Sequence, residues 1–180
     1  MKKLFICLCT TILALSLVAC SSSNLTDTDT VSVKIDQIFF EGSDQNQILK
    51  DADEMGIDKC VINNDGSVTY TLSKVLHAKL LENYKTNAIL VLREFVSGEE
   101  KVPSFEDVDF SDNFADIKIT VNETYTAMDS MIAMPIMIMG AYYQNFDGVD
   151  FKDIDVHVSF IDANRNVLDS LSFKEILEIE

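Results

Sequence analysis

The stretch Ser67 to Gly98, SVTYTLSKVLHAKLLENYKTNAILVLREFVSG, changes its hydrophobic period once, at Ser73. Before Ser73, the apolar residues Val68, Tyr70 and Leu72 alternate with Thr69 and Thr71, the period of a half-buried strand. After it, Leu76, Leu80, Tyr84, Ala88, Val91, Leu92 and Phe95 fall within one arc of about 160° at a helical 100° per residue, while Lys79, Glu82, Lys85, Thr86 and Arg93 lie opposite. Ser73 suits the N-cap of this helix and Gly98 its stop. A strand with one apolar face running straight into a long amphipathic helix sets the expected class, a sheet covered by helices on one side.

The surrounding sequence repeats the pattern. Lys59 to Asn63 forms the partner strand across Asn63-Asn64-Asp65-Gly66, residue types that tolerate positive φ. Upstream, Val31, Val33 and Ile35 alternate with Ser32, Lys34 and Asp36, and Ser43 to Gly56 reads as a short helix with Ile48, Ala52 and Met55 on one face. Downstream, Phe105 to Phe110 and Ala115 to Val121 form a second hairpin, a helix covers about Thr126 to Asn145, and Ile154 to Ile161 pairs with Val167 to Phe173 across a turn at 162–166. The expected fold is α+β: an antiparallel sheet of hairpins with helices packed on one face. Its other face would show Ser67, Thr69, Thr71, Lys118, Thr120, Asp155, His157, Ser159, Ser170 and Ser172, a polar surface open to solvent or to a partner.

The chain has 180 residues, 47% hydrophobic and 24% charged, which suits one globular domain and excludes a disordered or fibrous chain. Its net charge of -16, with no basic run to neutralise phosphates, argues against nucleic acid as a partner.

The N-terminus has the build of an export signal: Lys2 and Lys3, a mostly apolar Leu4 to Val18, then Leu17-Val18-Ala19-Cys20. This tetrapeptide resembles the lipobox of bacterial membrane lipoproteins at all four positions. The resemblance implies cleavage after Ala19 and lipid attachment at Cys20, so that the membrane is a partner through that lipid and the protein is extracytoplasmic. A spanning helix is the poorer reading, because Thr10, Thr11 and Ser16 interrupt a stretch that would need about 20 predominantly apolar residues. The expected organisation is a signal peptide over 1–19, a flexible tether over 20–30 and a single α+β domain over 31–180. Losing Lys2 and Lys3 leaves 12 basic against 30 acidic residues, a net -18 that anionic headgroups repel. Cys7 and Cys9 leave with the signal and Cys20 takes lipid, so Cys60 is the one remaining thiol and no intramolecular disulfide forms. In Lys59-Cys60-Val61-Ile62 it reads as a small buried hydrophobe.

Asn63 to Leu81, Tyr142 to Gly148 and the final hairpin resemble uncharacterised small lipoproteins of anaerobic Gram-positive bacteria, a similarity that covers most of the mature chain. Some of that group carry labels naming the N-terminal domain of antigen I/II adhesins. The alanine-rich and proline-rich repeats of those adhesins are absent here, where only Pro103 and Pro135 occur. The resemblance therefore implies a surface lipoprotein and supplies no catalytic residues.

Each candidate for chemistry has a simpler structural reading. Met128, Met131, Met134, Met137 and Met139 offer thioethers suited to Cu(I), but a spacing of three drifts about -60° per step on a helix, spreading Met128 to Met137 over about 180°. Packing under the sheet accounts for them. The EF-hand pattern fails around Gly66 and Gly148, and at Asp162-Ala163-Asn164-Arg165-Asn166 it meets Val167 and Phe173 where glycine and glutamate belong. His77 sits within the long helix's apolar arc as a core histidine, and Asp155, His157 and Ser159, at i and i+2 on a strand, stand too far apart for a triad. Dinucleotide, nucleophile-elbow and P-loop patterns are all missing.

The expected function is accordingly a membrane-anchored, non-catalytic binding or structural module of unknown protein or surface ligand, needing no cofactor. A copper- or calcium-handling lipoprotein is the alternative, and an exported enzyme using scattered carboxylates or Cys60 the third reading.

Overall fold

The computed structural model describes residues 29–177, so the expected signal peptide, the expected lipid-attachment residue Cys20 and most of the expected tether lie outside the described residues. The α+β class holds, with two sheets in place of one. A small antiparallel sheet, ordered β1-β3-β2, consists of β1 (Thr30–Ile35), β2 (Lys59–Ile62) and β3 (Val68–Ser73). A larger sheet, ordered β4-β5-β6-β7, consists of β4 (Phe105–Phe110), β5 (Asp116–Val121), β6 (His157–Ile161) and β7 (Val167–Ser172). Its two hairpins join through a parallel β5–β6 pairing, so this sheet is mixed. The parallel join follows from the connection: a segment of over thirty residues containing a helix separates β5 from β6, long enough to return the chain to the same end of the sheet.

Alternation decides the faces as the sequence suggests. Val33, Ile35, Val68, Tyr70 and Leu72 are buried on the small sheet, and Ile117, Ile119, Val121, Val158 and Phe160 on the large one. Gly66 turns the first hairpin at φ +83. The short helix α1 (Gln45–Glu54) starts at Asp44, whose side chain accepts from the Asn46 and Gln47 amides, and buries Ile48 and Ala52.

The long helix α2 (Lys74–Ser97) begins where the period changes, with the Ser73 hydroxyl accepting the Leu76 amide at 3.2 Å. Its apolar arc serves two cores in succession. Leu76, Leu80, Leu81 and Tyr84 pack on the small sheet, whereas Ala88, Ile89, Leu92, Phe95 and Val96 pack on the large one. Lys85, on the opposite side, reaches Asp112 in the β4–β5 turn at 3.1 Å.

The second long helix starts later than its sequence suggests. Asp129–Ile132 forms a 3-10 turn, and the α-helix α3 is Ala133–Phe146. Pro135 lies in the first turn of α3, where its missing N–H breaks no helical bond. Gly140 lets α3 approach the large sheet closely, since a Cβ there would stand 3.1 Å from the Phe114 carbonyl oxygen and 3.2 Å from Val156 Cγ1. At the C-terminal end, Phe173–Leu177 is a short helix, α4, where the alternation suggested that the last strand continues to Phe173.

Phe146 is fully buried in the small sheet's core although most of α3 belongs to the large one, and the neighbouring Asn145 ties the two together. Asn145 is 3% exposed, accepts the Asp36 amide at 2.9 Å, and donates to the Lys34 and Val149 carbonyls at 3.2 and 3.0 Å. Asn145→Ala should destabilise the protein by about 2–4 kcal/mol, because it strands backbone groups at the end of β1. Urea unfolding checks this, and a loss no larger than that of the exposed Lys79→Ala would contradict it.

Burial pushes the Tyr70 hydroxyl well above its usual 10, with smaller contributions from the Cys60 and Tyr84 charges. The folded state therefore holds this proton more tightly than the unfolded chain does. The corresponding stability is fully present below pH 10 and is lost as pH rises beyond it. Thermal midpoints measured between pH 8 and 11.5 should fall less steeply above about pH 10 in Tyr70→Phe than in wild type.

Candidate functional site

No helix of the described residues covers the outer face of the large sheet, and strand register lays its side chains out in rows. One row runs Asp109, Lys118, Ser159, Ser170; the next runs Asp107, Thr120, Ile161, Val167. The first row up to Ser159 and the whole of the second, with the β6–β7 turn above them, line a groove of about 360 Å³. Lys118, Thr120, Ser159 and Ser170 are outward residues that alternation alone identifies. Asp107 and Asp109 also lie there, on an irregular β4 whose register shifts between Phe105 and Asp107.

The turn above the groove is braced from within. Asp162 accepts the Asn164 and Asn166 amides, each at 2.8 Å, and its other oxygen takes the Asn166 side-chain amide at 2.8 Å. These hydrogen bonds, those from Asn166 foremost, hold the Asp162 carboxyl below its ordinary range. The aspartate that resembles a first calcium ligand thus closes its own loop. Arg165 sits in this turn at φ +67, a left-handed conformation that costs a side-chain-bearing residue about 1–2 kcal/mol.

A third row contains Asp116, His157 and Ser172. Asp155 and His157 do meet, contrary to the expectation from strand spacing, because Asp155 precedes β6 and is free to turn: its Oδ2 lies 3.0 Å from His157 Nε2. The Ser172 hydroxyl donates to the other carboxylate oxygen at 3.0 Å. The aspartate therefore stands between serine and histidine, whereas a nucleophilic triad needs the histidine between serine and acid. Ser159 turns instead to Ser170, at 3.4 Å.

The remaining candidates fall elsewhere. His77 Nε2 lies 2.8 Å from the Phe146 carbonyl oxygen, with its ring 5.1 Å from the Phe146 ring. Cys60 is half-buried against the small core, and burial pushes its thiol up, away from the reactive thiolate. The five methionines divide by surroundings: Met137 is fully buried, whereas Met128 and Met131 are 74% and 63% exposed. Tyr125 fixes the segment before them. Its ring stacks 5.1 Å from Phe160 and its hydroxyl donates to Asp169 at 3.4 Å, while burial and then the Asp169 charge push that hydroxyl up to about 12.

Among the described residues, no three histidine, cysteine or acidic side chains converge where they would hold a metal ion, and no helix is long and apolar enough to cross a membrane. No family model, curated protein or solved structure matches the chain.

The division of the methionines is measurable with dilute hydrogen peroxide, since oxidation to sulfoxide follows exposure. Peptide mass spectrometry should show Met128 and Met131 oxidised first, with the fold intact, and Met137 only as the protein unfolds. Oxidation of all three at one rate would contradict the core placement of Met137.

Proposed function

We propose that this chain is a membrane-tethered, non-catalytic binding module, held outside the cell by lipid on Cys20, with the outer face of the large sheet as its working surface. The observation that carries the binding part is the charged groove on that face, left open while helices cover the other side. The tether rests on Leu17-Val18-Ala19-Cys20 and the polar stretch that follows. With a net -18 after processing, the module stands off an anionic bilayer and does not lie on it.

Labelled palmitate fed to cells that express the full chain should enter the protein, and Cys20→Ala should abolish both the label and membrane association. A Cys20→Ala protein that still takes up label would refute the tether.

A further inference from the structure

The two edge strands of the large sheet carry the same local arrangement. Strand β4 pairs with β5 and strand β7 with β6, and no strand of the described residues lies on the other side of either. In each edge strand the ladder skips one residue, leaving Glu106 and Leu168 without a cross-strand partner. An aspartate follows that extra residue at once, Asp107 in β4 and Asp169 in β7. Its Oδ1 accepts the amide of the next residue, Val108 at 2.9 Å and Ser170 at 2.8 Å. Both amides point away from the sheet. The Ser111 amide donates to the Asp116 carbonyl and the Phe173 amide to the Val156 carbonyl, each at 2.9 Å, and bonded residues alternate along an antiparallel pair. Two residues back, Asp109 and Leu171 therefore bond to the neighbouring strand, and Val108 and Ser170 face the open side. The Tyr125 hydroxyl, donating to Asp169 Oδ2 at 3.4 Å, steadies the second of these carboxylates.

We propose that Asp107 and Asp169 guard the two edges: each occupies with its own carboxylate the backbone donor that an edge strand of a second copy of this chain would otherwise bond, and so keeps the large sheets of two copies from joining. An outward N–H on an edge strand is where a further strand begins to pair. The carboxylate fills that donor and also sets a negative charge against the approach of another chain with net charge -16. The extra residue beside it bends the strand and breaks the register that a partner would have to match. Protection matters most at β7, where Val167 and Leu168 are 62% and 53% exposed. At β4, the exposed Glu106 and Asp109 add to the charge. The small sheet's edge strand β2 has only four residues and begins with Lys59, so it offers a second copy little to pair with. The inference concerns the strand edges and depends neither on the groove as a binding surface nor on the lipid.

Sedimentation equilibrium of the full chain in non-ionic detergent, with the solvent matched to the detergent's density and micelles in excess, tests the proposal. Wild type should remain monomeric at about 0.1 mM protein. Asp107→Ala or Asp169→Ala opens one edge and should give a dimer of twice the monomer mass, because a pairing between two like edges closes on itself. The double variant opens both edges and should form longer, open-ended oligomers. Asp109→Ala removes the same charge from β4 but leaves the Val108 amide capped, and should stay monomeric. Hydrogen exchange read by NMR separates strand pairing from the clumping of unfolded chains: the Val108 amide in Asp107→Ala, and the Ser170 amide in Asp169→Ala, should exchange at least about tenfold more slowly than in wild type. A double variant that stays monomeric, association of Asp109→Ala to the same extent as Asp107→Ala, or oligomers in which these two amides exchange no more slowly than in wild type would each overturn the guarding role.

Discussion

The buried amide of Asn145 is the joint on which the two halves of the molecule depend. A side-chain amide carries one acceptor and two donor hydrogens, and here they go to the backbone on both sides of residue 35 and to Val149. No apolar side chain could replace it without leaving buried backbone groups unpaired, and hydrogen bonds of this kind fix register where hydrophobic contact alone leaves it loose. The end of β1 is thereby set against the C-terminal end of α3, next to Phe146, whose ring enters the small core against Tyr84 and His77. Helix α2 completes the joint by giving its first half to one sheet and its second to the other.

Much of this fold can be read locally. The change of period at Ser73, the capping hydroxyl, the three turns and the faces of the strands each depend on residues a few positions apart, and each appears in the structure close to where local rules put it. What local rules miss is long-range. The apolar arc of α2 looks the same whether it covers one sheet or bridges two. The parallel β5–β6 pairing depends on where α3 returns the chain, which alternation cannot report. The start of α3 shifts to Ala133 because Asp129–Ile132 closes as a 3-10 turn before the α-helix begins, a tightening of the first turn that hydrophobic periodicity does not separate from α-helix.

The candidate site divides in the same way. Lys118, Thr120, Ser159 and Ser170 are legible as outward residues from their spacing. Asp107 and Asp109 are obscured by the irregularity in β4, and Arg165 looks like an ordinary turn residue until its left-handed backbone is seen. The meeting of Asp155 with His157 was hidden for a related reason: strand geometry applies only from residue 157 onward, and one residue outside the strand is enough to bring a carboxylate to its neighbour.

The position of β1 has a mechanical consequence under the proposed anchoring at Cys20. Its six paired residues lie antiparallel to β3 with hydrogen bonds perpendicular to the strand axis, so a pull along the axis of β1 loads the pairs together in shear and does not peel them one at a time. At the far end of β1 the load passes through the Asn145 amide into α3, and from α3 to the large sheet. A ligand held in the groove and a lipid held in the bilayer would then be the two ends of one stiff line of force, with Asn145 as its coupling.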